Sequence, residues 1–348
     1  MLGGAHTQVP SIKKAVEMGF YTISCDYLPN NPGHKFSHEY HNVSTTDKEA
    51  VLALAKKLKI DGIVCYASDP AAATAAYVSE KMGFPASPYK SVEILSNKDQ
   101  FRAFMRENGF YCPKAKGYAE NEVQKSLSEL TEFSLPVVVK PVDSCSSKGV
   151  TVLKDSSKLK EAIEYALSFS RAKRFIIEEL FEKVGYQLGG DGFSVNGKLV
   201  FRCFSNSHMY AINPIVPFGE SFPYILPKET QTKIHNEFQR VLTLLDMKTG
   251  AYNLEARLNK KGDIFFQARI DPVPRPIRFI FSFFNIGGRQ IMKTAPVFPQ
   301  AADAVKPPYG GFNHSGVNIK RVYCVKDRVF RASVVSLHKH GDAVGLAA

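Results

Sequence analysis

Three stretches of this chain combine residue types in spacings that could do chemistry. The first is VVVKPVDSCSSKGV, residues 137–150, a β-branched run that delivers Lys140 and then opens a loop of small hydroxyl residues closed by Lys148-Gly149. Small side chains let backbone N–H groups approach phosphate oxygens, and the two lysines add positive charge. A solvated hairpin loop has the same composition, so this stretch points to a phosphate only in company. The second is FIIEELF, residues 175–181, an apolar run that turns acidic at Glu178-Glu179. Charge at the end of a buried strand suits a cleft edge, where a carboxylate can accept bonds from an amine or a ribose hydroxyl. In isolation the same pattern also fits a strand end at the surface.

The third stretch is AYNLEARLNKKGDIFFQARID, residues 251–271, which reads as a hairpin with Glu255 on its first strand. A four-residue loop, Lys260–Asp263, sets Glu255 across from residue 268. Two facing carboxylates there would hold one or two Mg²⁺ ions between triphosphate oxygens. Residue 268 is alanine, so the pair is half made, and Glu255 alone also fits a salt-bridge role on a strand face.

Weaker signals surround these. Gly3-Gly4 before a helix, with Asp26 as a ribose acid, sketches a dinucleotide fingerprint, but the later glycines of G-x-G-x-x-G are missing. His34, His38 and His41 invite a metal reading, yet they sit on a loop beside no acidic cluster. Ser, Cys and His form no G-x-S-x-G elbow.

The elements that must position these groups follow from periodicity and punctuation. Residues 1–90 alternate helix and strand signals: helix 11–18, strand 20–25, helix 47–58 after the cap signal Ser44-Thr45-Thr46, strand 62–66 and an Ala-rich helix 71–82 ending at Gly83. This is a parallel α/β unit whose first strand is expected to be truncated, because only Met1 and Leu2 precede the glycines. A helix over 97–108 links it to an α+β region. There, strands over 135–140, 150–153 and 174–178 surround a helix over 157–168, and a hairpin turns at Asn196-Gly197. A helix over 228–245 and strands over 250–258 and 264–270 complete the readable part.

Composition sets limits. The chain has 348 residues, 44% of them hydrophobic, enough for two or three domains with a real core. Its formal charge of +12 is uneven: the 81 residues after Gln267 hold 12 Lys/Arg, four Asp and no Glu. The basic excess therefore marks a segment, not a stripe along one face, and argues against nucleic acid as a partner. No apolar run is long enough for a membrane span and no signal pattern opens the chain. Six scattered cysteines without CxxC suit reduced thiols in a cytoplasmic protein.

Taken together, these segments resemble the ATP-grasp superfamily. The resemblance is to a carboxylate–amine ligase or carbamoyl-phosphate-synthase-like group, kin to biotin carboxylase and the purine-pathway carboxylases. It covers residues 1 to about 267 and rests on VSTTDKEAVLALAKKLKIDGIVCYASDPAAATAAYVSEKMGFP, SNKDQFRAFMRENGFYCPKAKGY, LPVVVKPVDSCSSKGV, FIIEELF and KTGAYNLEARL. It implies an ATP-grasp fold, α/β plus α+β. A pre-ATP-grasp, Rossmann-like domain would span 1–92. The ATP-grasp domain would span 93–270, with a helical link at 93–120, a central subdomain at 121–205 and the start of a C-terminal subdomain at 206–270. An atypical tail would follow over 271–348.

The same resemblance implies ATP and Mg²⁺ as cofactors. Lys98 and Lys140 would hold phosphates. Ser144, Cys145, Ser146, Ser147, Lys148 and Gly149 would form the loop over the triphosphate. Glu178, Glu179 and Phe181 would meet adenine and ribose, and Glu255 would be the first metal ligand. Small-molecule carboxylate and amine substrates are implied, and a homodimer by analogy.

The family's next block, E-x-N/G-P-R-x-G-G-N, should begin at Ala268, where the chain reads ARIDPVPRPI. A methyl group cannot replace an oxygen ligand. Two explanations stand: a pseudo-enzyme that keeps nucleotide binding, or a shifted reading frame after about codon 267. Either implies a catalytically impaired ligase. A non-catalytic nucleotide-binding protein and a Rossmann-type oxidoreductase are the alternatives.

Overall fold

The computed structural model describes residues 1–145, 147–209, 217–266, 318–324 and 333–338, with only the backbone described for 217–218 and the last two segments. The chain opens with helix α1 (Val9–Glu17), strands β1 (Ile23–Cys25) and β2 (Glu39–His41), and helices α2 (Lys48–Leu58) and α3 (Ala72–Met82). Helix α2 is capped by Asp47, whose side chain accepts from the Ala50 N–H, and not by the hydroxyls before it. Helix α3 ends at Gly83 in the left-handed region, φ +74°, where a glycine carries no Cβ penalty.

The two residues before Gly3 hold the centre of this unit. Leu2 bridges in parallel to both Cys25 and Cys65. The strand expected over 62–66 is reduced to that bridge, because its neighbour is too short to offer a ladder.

Helices α4 (Tyr89–Ser96) and α5 (Lys98–Glu107) meet at Asn97 and lead into a four-stranded sheet. This sheet contains β3 (Ala115–Ala119), β4 (Val137–Pro141), β5 (Thr151–Leu153) and β6 (Arg174–Glu179) in the order β3-β6-β4-β5. Helices α6 (Val123–Glu129) and α7 (Leu159–Ser168) cover one face. Val137, Val139, Phe175 and Ile177 point to that face and pack with Leu159, Ile163 and Ala166. Side chains alternate along a strand, so Lys140 and Glu178 take the opposite face.

The second sheet runs β11-β10-β7-β8-β9-β13-β12. Its members are β7 (Gln187–Val195), β8 (Lys198–Met209), β9 (Pro217–Phe222), β10 (Gly250–Leu258), β11 (Ile264–Phe266), β12 (Asn318–Cys324) and β13 (Ser333–His338). The β7–β8 turn is the expected Asn196-Gly197, both at positive φ, which a two-residue hairpin of this twist requires. Helix α8 (Lys228–Leu244) packs Ile234, Phe238, Val241 and Leu242 against Leu188, Tyr252, Leu254 and Ala256. Asn253, Glu255 and Arg257 alternate with those buried positions and take the other face.

Strands β12 and β13 show that the atypical tail contributes to this sheet, with β13 pairing parallel to β9. Residues 267–317, Ala268 among them, 325–332 and 339–348 lie outside the described residues.

One expected register is corrected. Strands β10 and β11 pair Leu258 with Ile264, Arg257 with Phe265 and Ala256 with Phe266. Five residues, 259–263, form the connection, whereas setting residue 268 across from Glu255 needs four. The fifth is held in the turn by Asn259, whose side-chain oxygen accepts from the N–H groups of Lys261 and Asp263.

Candidate nucleotide site

Strand β4 places Lys140 opposite Ile176 of β6, one diagonal step from Glu178. Lys140 Nζ donates to Glu178 Oε1 at 2.8 Å, and both side chains are buried. The second oxygen, Oε2, accepts from Arg102 Nε at 2.5 Å. Arg102 lies on α5 and is 1% exposed. Its Nη1 also donates to the Phe266 carbonyl at 3.1 Å, and its guanidinium lies 4.4 Å from the Phe265 ring centroid. One buried carboxylate thus serves two buried cations, and Arg102 joins helix α5, the first sheet and the second sheet.

The electrostatics follow from burial. Desolvation alone would raise the Glu178 carboxyl, but the charges of Arg102 and Lys140 and their hydrogen bonds outweigh it and hold the group at about 2. Lys140 is pushed down, first by desolvation and further by Arg102, against the pull of Glu178. Arg257 is brought down to about 10 by burial, with Glu255 and Glu178 opposing. Around Glu178 itself, Arg102 and Lys140 stand against one carboxylate, a local excess of positive charge in a water-poor setting. Such a setting favours an anion.

Lys98 begins α5, and its Nζ donates to the Ser144 carbonyl at 2.6 Å, at the start of the 144–149 loop. Its backbone N–H bonds the Val142 carbonyl at 3.0 Å, which fixes the helix start against the loop. A cation at the positive end of a helix is unfavourable alone, and both favour an incoming anion. In the loop, Lys148 N–H bonds the Cys145 carbonyl, and Ser147 takes φ +57°. Gly149 closes it at φ +72°, where a Cβ would lie 3.1 Å from both Pro141 Cδ and Phe169 Cβ. Ser144, Ser147, Lys148 and Gly149 are all placed in this turn, and Ser146 lies outside the described residues.

Glu179 and Glu178 part company. Glu179 Oε1 accepts from the Ser134 N–H at 2.8 Å, on the side away from Lys140. Neighbouring residues on a strand face opposite ways, so one of the pair must do so. Phe181 is buried between Tyr111 and Phe265, ring centroids 5.7 and 5.1 Å away, and walls the region next to Arg102.

Glu255 pairs with Gly189 of β7, and Gln187 links it to Arg257: Gln187 Nε2 reaches Glu255 Oε2 at 3.5 Å and Arg257 Nε donates to Gln187 Oε1 at 2.9 Å. Glu220 lies on the same face, bonded by the Ser205 and Ser207 hydroxyls, and burial followed by the charges of Glu255 and Asp191 raises it. Among the described residues no group of three His, Cys, Asp or Glu is arranged to hold a metal ion. Glu255 fits one metal bond; the others would come from phosphate oxygens or from residues outside those described.

Sequence reasoning missed Arg102, Gln187, Glu220 and Arg257. Arg102 carried a signal: it shares the helical phase of Phe101, Phe104 and Met105, the buried stripe of α5. The other features read from the sequence resolve into local structure. Asp26 accepts from the N–H groups of Gly4 and Leu28 and from Asn31, which leaves little for a ribose. A Cβ on Gly4 would lie 2.2 Å from His34 Cε1, so the turn is filled by that ring. His34, His38 and His41 bond Ser24, Thr22 and Glu39 respectively.

A buried lysine on one strand, paired with a carboxylate on the next, lies within residues 133–272, which match the family model of the ATP-grasp domain, so the chain carries a domain of that class. Among relatives, the formate-dependent phosphoribosylglycinamide formyltransferase of Rhodococcus jostii is 23% identical over 338 residues, 92% of this chain and 82% of its own. The enzyme of the same name from Mannheimia succiniciproducens is 27% identical over 190 residues, 54% of this chain and 48% of its own. In structure, N5-carboxyaminoimidazole synthetase from Staphylococcus aureus complexed with ADP aligns with a TM-score of 0.64 and 14% identity over 81% of this chain and 72% of that one. That likeness speaks for the fold. No helix among the described residues is long and apolar enough to cross a membrane.

Proposed function

We propose that the chain is a carboxylate–amine ligase-like protein that binds MgATP between its four-stranded and seven-stranded sheets, with acyl-phosphate chemistry as its reaction type. The observation that carries this is the buried Lys140–Glu178–Arg102 group, in which two cations share one carboxylate, beside Lys98 and the Ser144–Gly149 loop. On this reading residues 1–92 form a pre-ATP-grasp domain and 93–270 the ATP-grasp domain.

The roles follow from position. Lys140 and Lys98 would neutralise phosphate oxygens, and Gly149 lets the loop fold back over them. Phe181 would line the base side. Glu179 contributes through its backbone more readily than its side chain, because its carboxylate is spent on Ser134. Glu255 would hold Mg²⁺, which screens the phosphates during transfer. The γ-phosphoryl group would pass from the ADP oxygen to a carboxylate oxygen. An amine would then attack the acyl carbon, expelling phosphate and losing its proton. The relatives' names, formate-dependent formyltransferases, favour a small carboxylate such as formate.

We further propose that turnover is impaired in this chain, since Ala268 stands where the family's metal-binding Glu is expected and Ile270 where Asn or Gly is. Calorimetry with ATP and Mg²⁺, followed by ADP release with formate, bicarbonate and amino acids, tests both parts. Absence of ATP binding ends the nucleotide reading, and ADP release at about 1 s⁻¹ or faster ends the impairment reading.

A further inference from the structure

We propose that Arg102 is a positioning residue for phosphate binding: by holding one oxygen of Glu178 it allows Lys140 to leave that carboxylate for a nucleotide phosphate. The inference rests on the nucleotide reading of this site and gives Arg102 a role that reading leaves unassigned.

Glu178 offers one oxygen to each cation, at 2.5 Å to Arg102 Nε and 2.8 Å to Lys140 Nζ. All three side chains are buried, so water cannot take the place of a departing partner. With Lys140 alone, Glu178 would form a closed neutral pair, and a phosphate would have to strip the lysine from a carboxylate left bare in the interior. With Arg102 in place, the carboxylate keeps a charge-assisted bond when Lys140 swings away.

Arg102 is built to stay behind. It is braced by the Phe266 carbonyl and by the Phe265 ring, and its planar fork loses little freedom in forming these bonds. Its placement is also linked to the other lysine. Lys98 and Arg102 stand at i and i+4 on α5, one above the other. One helix therefore sets Lys98 against the phosphate loop and Arg102 against Glu178.

The test is MgATP affinity of the full-length protein by calorimetry, for wild type and for Lys140→Met, Arg102→Met, Arg102→Lys, Glu178→Gln and the double variant Arg102→Met/Glu178→Gln. Circular dichroism confirms folding of each. Arg102→Met should weaken ATP at least about tenfold, Arg102→Lys should recover part of the loss, and the double variant should recover most of it, because a neutral amide no longer competes for Lys140. A merely structural arginine would not be rescued by changing Glu178. Arg102→Met binding like wild type, or a double variant no better than Arg102→Met, overturns the proposal. If Arg102→Met does not fold, Arg102→Lys decides: ATP bound less tightly than by wild type supports the proposal, and wild-type affinity overturns it. Wild type failing to bind ATP sinks the nucleotide reading itself. Wild type binding, with Lys140→Met weak and Arg102→Met normal, removes the positioning role alone.

Discussion

Lys140 and Glu178 sit on neighbouring antiparallel strands, one diagonal step apart, with Nζ 2.8 Å from Oε1 in a buried setting. The pair is the electrostatic centre of the site, and its asymmetry sets the first prediction. Removing the carboxylate leaves Lys140 and Arg102 facing each other without a counter-charge. Glu178→Ala should cost about 3–5 kcal/mol, more than Lys140→Met, which leaves Glu178 with Arg102. Urea denaturation of the two variants checks the order; equal losses would contradict it.

The same carboxylate gives a pH signature. Its folded value, about 2, lies below the ordinary 4.5. A depressed carboxyl contributes stability above its unfolded value and loses it as pH falls towards the folded one. The stability gap between wild type and Glu178→Gln should be full above pH 4.5 and shrink on acidification towards pH 2. Thermal melts across that range measure the gap, and a gap that widens with acid would reverse the sign.

Gly149 predicts a backbone effect. At φ +72°, with Pro141 and Phe169 3.1 Å from any Cβ, alanine is strained twice over. Gly149→Ala should lose about 1–2 kcal/mol and weaken ATP through the reshaped loop. Denaturation and calorimetry read the two effects separately. Unchanged ATP affinity would remove the loop from the phosphate site.

The β10–β11 register redirects the test of the missing carboxylate. One pair beyond Ala256–Phe266, the count reaches Glu255 and position 267. Gln267 and Ala268 lie outside the described residues, so substitution must decide. On that count Gln267→Glu, and not Ala268→Glu, should strengthen the Mg²⁺-dependence of ATP binding. The reverse result would restore the original pairing.

The residues themselves determined the local vocabulary. Lys140 ends a β-branched run, Asn196-Gly197 must turn a hairpin, and Gly83 must stop a helix, because backbone sterics and side-chain period act within a few residues. The superfamily resemblance rests on the order of such segments, and the matched ATP-grasp domain bears it out. The phase of a strand is different. Glu178 and Glu179 are the same residue type, and only the pairing of β6 with β4 turns the first towards Lys140 and the second towards Ser134. The same holds for Arg102, whose partners Glu178 and Phe266 are 76 and 164 residues away. Burial, register and the sharing of one carboxylate by two cations arise from long-range packing, which no local pattern encodes, and so the tertiary structure alone decided which charges meet.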